Sequence, residues 1–83
     1  MSLEDKTLAM HVRKMIVKSP LDITMLSVNC RKGTVELAGS VRRPSDHASA
    51  TMDVRSELKK LVELARNTRG VEDVYADHVR ILG

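Results

Sequence analysis

One stretch limits what this chain can become: Leu26 to Val41, LSVNCRKGTVELAGSV. Leu26, Val28 and Cys30 alternate with Ser27, Asn29 and Arg31. After Lys32-Gly33, the residues Val35, Leu37, Gly39 and Val41 alternate with Glu36, Ala38 and Ser40. Period-2 patterning in two runs around a glycine is the sign of a β-hairpin. The register follows from the letters. With Lys32 and Gly33 as the loop, Arg31 faces Thr34, Cys30 faces Val35, Val28 faces Leu37 and Leu26 faces Gly39, so every apolar partner shares one face. A three-residue loop sets Val28 against Glu36 and turns one apolar set to water, because a slip of one residue inverts the faces. The two-residue turn is expected, with Gly33 at positive φ. Gly39, opposite Leu26, reads as a packing glycine that lets a helix approach the sheet.

A chain of 83 residues makes one small domain, spanning 1–83. It buries only about 60–65% of its unfolded surface, enough for one layer of helix on sheet and little internal cavity. There is no Phe or Trp, and Tyr75 is the single aromatic residue, so aliphatic side chains and five Met fill the core. Met packs adaptably but specifies weakly. Modest monomer stability and an incentive to associate are expected. Fourteen Lys/Arg against 11 Asp/Glu leave a net charge of +3, which permits an anionic partner without requiring one. One cysteine excludes an internal disulfide and a multi-cysteine zinc site. No run is long enough to span a membrane, and MSLEDKTLAM is charged where a signal peptide is apolar. A cytoplasmic location is expected if this N-terminus is native, and a cell-envelope or periplasmic one if the chain is an excised domain.

Ser2 to Lys18 reads as an amphipathic helix with a capping-box-like Ser2/Asp5 start. Its apolar stripe is Leu8, Val12, Met15 and Ile16, Lys14 and Lys18 lie in the last turns, and Pro20 ends it. Leu21 and Ile23 seal the connection to the first strand. Leu58, Leu61, Val62 and Ala65 mark a second helix ending at Thr68, with Gly70 as its C-cap. VEDVYADHVRIL is a third strand in which Val74 is out of phase with Val71, Val79 and Ile81, so a bulge is expected near Val74 to Ala76. No Pro or Gly lies between Pro44 and Thr68. One long second helix, capped by Ser45 or Asp46, is expected to overhang the sheet. The alternative is a loop to about Val54 with Ser56 as cap.

These two glycine-punctuated blocks resemble the BON domain. The residues that carry the resemblance are Val28, Gly33, Val35, Leu37, Gly39 and Val41, then Gly70, Val71 and Val74. The resemblance covers nearly the whole chain. It implies an α+β fold, an αββαβ two-layer sandwich with two helices on one face of a three-stranded mixed sheet. It also implies a module of bacterial envelope and stress proteins that binds phospholipid surfaces or mediates protein contacts, with no enzymatic residues. The chain departs from the pattern between Gly39 and Gly70, where it is longer by about eleven residues, close to three helical turns. That increment suits an enlarged second helix.

No catalytic constellation, cofactor motif or metal motif is present. Cys30 has no base placed beside it by any pattern and reads as a small core residue. His11, His47 and His78 show no ligand spacing, and Asp77-His78 is one acid–base pair without a pocket. Arg42, Arg43, Lys60 and Arg69 add positive charge, but Arg55, Lys59 and Arg66 recur at helical spacing and form one stripe. Such a stripe can face anionic lipid head groups, although Asp53, Glu57 and Glu63 can pair with it. A nucleic-acid reading lacks both a GxxG clamp and stacking aromatics. The expected function is therefore a non-catalytic interaction module that self-associates and docks partner proteins. Ala48, Met52, Arg55, Lys59 and Arg66 are its candidate contacts, and an apolar overhang around Ala48 and Met52 is the expected homodimer contact. Peripheral binding to anionic phospholipid is the alternative.

Overall fold

The computed structural model describes residues 3–44 and 51–82. Its elements are α1 (Leu3–Ile16), β1 (Leu26–Arg31), β2 (Thr34–Arg42), α2 (Val54–Arg66) and β3 (Asp73–Leu82). The fold is α+β. The three strands lie in the order β1-β2-β3, with β2 antiparallel to β1 and parallel to β3. The hairpin register is the one the alternation requires: Arg31 opposite Thr34, Cys30 opposite Val35, Val28 opposite Leu37, Leu26 opposite Gly39. Lys32 and Gly33 both take positive φ, 50° and 83°, as a type I′ turn demands. The Lys32 amide in that turn donates to the Asp5 carboxylate of α1 at 3.0 Å, tying helix to hairpin.

Alternation decides the two layers. The burial of β1 switches at every residue, and Val35, Leu37 and Val41 of β2 are fully enclosed. Val12 and Ile16 of α1 and Leu61 and Ala65 of α2 close the same core. α1 lies against β1 and α2, and α2 lies against β3. The first helix ends at Ile16 rather than Lys18, because Lys18 and Ser19 donate to carbonyls three residues back and tighten the last turn. Ser2 lies outside the described residues.

Three expectations need correction. The first is the long second helix. α2 begins at Val54, and its N-cap is Asp53, whose carboxylate accepts the Ser56 amide at 3.3 Å. In a continuing helix that amide would bond the Met52 carbonyl, which instead accepts from the Arg43 guanidinium at 3.1 Å. Asp53 and Arg43 thus divert both halves of the hydrogen bond that would extend the helix. Val54 is buried and Met52 is packed against the core, so neither overhangs. Thr51 lies in a turn, and the Ser45 and Asp46 caps and Ala48 lie outside the described residues.

The second is Gly39. It does face Leu26, but no helix approach explains it. Its φ is 105°, and a Cβ there would stand 2.2 Å from the Met25 carbonyl oxygen. That oxygen accepts the Ser40 amide. Past this point the strands meet again only at an Asp22–Arg42 bridge, with three residues on one side opposing two on the other. Gly39 is the residue that lets the backbone make this bulge. The third is Gly70. Asn67 caps α2, donating to the Glu63 carbonyl at 2.9 Å, and Gly70 (φ 97°) is the third residue of a following turn closed by Val71 N–H to Thr68.

The phase break in the third strand is a bulge. Glu36 pairs with Tyr75 and Ala38 with His78, so Leu37 alone opposes both Ala76 and Asp77.

Asp22 secures the bridge electrostatically. Its carboxylate accepts the Thr24 hydroxyl at 2.6 Å and amide at 3.0 Å, and Arg42 Nε at 2.8 Å. These bonds, those from Thr24 first and that from Arg42 next, hold its pKa well below the ordinary 3.8. A depressed folded-state pKa contributes stability above the unfolded value, and the contribution fades as pH falls below it. Asp22→Asn is therefore expected to lower the thermal midpoint at pH 7. The gap to wild type should close as pH falls below about 4. Parallel midpoint-against-pH curves would contradict this account.

Candidate interaction surface

The most apolar concavity runs between α2 and β3. Leu58 and Val62 form one wall and Ala76 and Ile81 the other, with Arg55, Lys59 and Glu63 at the rim. It arises because α2 has more apolar surface than three strands can cover. β3 is the last strand of the sheet, so Leu58 and Val62 stay half-buried and Ile81 and Leu82 are 40% and 45% exposed. At the N-terminal end of α2 the groove continues into a second hollow lined by Arg42, Arg43, Met52 and Leu82.

The expected basic stripe divides on inspection. Arg55 and Lys59 stand at the groove, and neither has an ion-pair or hydrogen-bond partner among the described residues. Arg66 is engaged by Glu63 at 2.6 Å and Lys60 by Glu57 at 3.4 Å, both i,i+3 pairs that dilute the local field. Met52 lines the adjoining hollow. The groove walls Leu58, Val62, Ala76 and Ile81 did not emerge as contact residues from the sequence. The available signal was the shifted phase of Val79 and Ile81, which keeps apolar residues facing the helix past the bulge, while the edge position of β3 comes from strand order.

A larger, polar hollow lies beside the hairpin turn, lined by Asp5, Cys30, Lys32, Glu36 and Tyr75 among others, with no histidine in it. Cys30 is buried, and desolvation first, then the Asp5 charge, pushes its thiol pKa up. That environment works against a thiolate nucleophile at neutral pH. On the far side of Tyr75, Asp73, as hydrogen-bond acceptor and then as charge, pushes the phenol pKa up, and Asp77 adds to it. The outer face of β3 is therefore acidic at its start. His11 and His78 are exposed on different elements, and His47 lies outside the described residues. Among the described residues no group of three or more His, Cys, Asp or Glu could hold a metal ion, and no helix is long and apolar enough to cross a membrane.

Compared with protein-family models, curated proteins and solved structures, the chain matches none.

Proposed function

We propose that this chain is a non-catalytic interaction module that self-associates and docks partner proteins, and that the α2–β3 groove is its docking face. The observation that carries the reading is an apolar trough lying along a strand edge that pairs with no other strand among the described residues. Exposed apolar surface of this kind, rimmed by charge, is characteristic of contact sites. The resemblance to BON domains in both glycine-punctuated blocks points the same way. A core without Phe or Trp adds a thermodynamic reason to share surface.

Sedimentation velocity tests it. The weight-average mass of the wild type is expected to rise with concentration through the micromolar range. Val62→Asp, checked for native circular dichroism, is expected to stay monomeric, because it places an unpaired carboxylate in the apolar wall. A wild type that is monomeric throughout removes self-association from the reading. The alternative, peripheral binding to anionic phospholipid, draws on Arg55 and Lys59, which have no ion-pair partner among the described residues. It replaces the first reading if the monomer pellets with phosphatidylglycerol vesicles, if salt abolishes this, and if Arg55→Glu with Lys59→Glu abolishes it too.

A further inference from the structure

We propose that β3 pairs antiparallel with β3 of a second copy, about a two-fold axis between Asp77 and His78, fusing two three-stranded sheets into one of six strands. This deepens the reading of the chain as a self-associating module and rests on it. The starting point is an open edge. β3 is ten residues long, pairs among the described residues only with β2, and carries no Lys or Pro, although it has a bulge and the charges of Asp73, Asp77 and Arg80.

The bulge supplies the register. Before it, Val74 and Ala76 face the helices and Tyr75 faces outward. After it, Val79 and Ile81 face the helices and His78 and Arg80 face outward. Asp77 is the exposed extra residue of the bulge, so the order from Val74 is in, out, in, then the bulge residue, then out, in, out, in. Outside its central two residues that pattern is a palindrome centred between Asp77 and His78. Residues directly opposite in an antiparallel pair share a face. A bulge ordinarily blunts an edge, but here the extra residue makes the strand face-matched to a reversed copy of itself. Val74 then meets Ile81 of the second copy, Ala76 meets Val79, Tyr75 meets Arg80 and Asp77 meets His78, each pair occurring twice.

Charge selects the same arrangement. The first half of the strand is acidic, with Asp73 and Asp77. The far end is basic, with Arg80 on the strand and Arg55 at the groove beside Ile81. Antiparallel pairing sets the acidic end of each copy against the basic end of the other, and places a guanidinium opposite Tyr75. Parallel pairing would set like against like. On the helix side the Val74–Ile81 and Ala76–Val79 pairs extend the apolar layer and cover the Ile81 surface that each copy leaves open.

Tyr75→Cys and Arg80→Cys test the register, since both side chains are exposed and folding is spared. Mixed and treated with a short thiol crosslinker, the two variants are expected to form a dimer whose linked peptides contain positions 75 and 80. Either variant alone is expected to crosslink little, because like positions lie about 17 Å apart at about 3.4 Å per residue. Buried Cys30 does not compete. Arg80→Glu, which breaks two symmetric pairs, is expected to weaken dimerisation about tenfold. Asp73→Lys with Asp77→Lys in a second chain is expected to recover a heterodimer with it. A dimer that forms without the 75–80 link overturns β3 pairing while leaving self-association intact. A wild type monomeric at hundreds of micromolar overturns both. Capture of that monomer by an added acidic protein would assign the edge to a foreign strand, and pelleting with anionic vesicles would assign the groove to lipid.

Discussion

Gly39→Ala is expected to lose about 3 kcal/mol or more of folding stability, a large part of the roughly 4–12 kcal/mol that a chain of this size commands. Two effects add. An L-residue at φ 105° is strained, and the new methyl would meet the Met25 carbonyl oxygen at 2.2 Å. That carbonyl is fixed by the Ser40 amide, and the Asp22–Arg42 bridge lies just beyond, so the backbone has little freedom to withdraw. Urea denaturation measures the loss. Gly70→Ala is the control: its φ is also positive, but the nearest atom is a movable Leu8 methyl at 3.3 Å. It should cost only about 1 kcal/mol. If the two variants unfold together, backbone collision at Gly39 is not what makes glycine necessary there.

Leu37→Ala is expected to cost about 3–4 kcal/mol. Leu37 is fully enclosed on the central strand, faces Val28 on one side, and is the residue opposite the β3 bulge on the other. The cavity would open where three strands converge, and the tight flanking pairs leave it little room to collapse. Glu36→Ala, one position away on the open face, should change stability by less than about 0.5 kcal/mol. A small loss at Leu37 would mean that the core is fluid enough to refill the space.

Legibility in the sequence followed the range of the interaction involved. The hairpin and its register were readable because alternation, turn and partner lie within sixteen consecutive letters, and a one-residue error would have exposed an entire face. The β3 bulge was readable for a related reason, since a phase break between Val74 and Val79 has no other repair. The start of α2 was readable only as the alternative, a loop to about Val54, and its cap is Asp53 rather than Ser56. No breaker separates Pro44 from Thr68, and the stop depends on Arg43 reaching back to the Met52 carbonyl, a contact set by tertiary placement. Gly39 was assigned to the correct partner for the wrong cause, because the Met25 carbonyl leaves no trace in the pattern. The candidate site was half legible. Arg55, Lys59 and Met52 lie on or beside the groove, Arg66 is occupied by Glu63, and the apolar walls depend on β3 being outermost, which strand order alone determines.

The parallel relation between β2 and β3 also sets a sequence of events in time. During synthesis the hairpin can close as soon as Arg42 has emerged, since its partners are neighbours along the chain. The last strand docks only after the entire crossover through α2 has been made, because Val35 must find Val74. Closing that loop is the entropically demanding step. Until it happens, Val35 and Leu37 sit on a two-stranded ribbon with one flank bare, in a cell crowded with other nascent chains. β3 therefore serves as a latch, since its docking against β2 is what closes the flank that the hairpin leaves open.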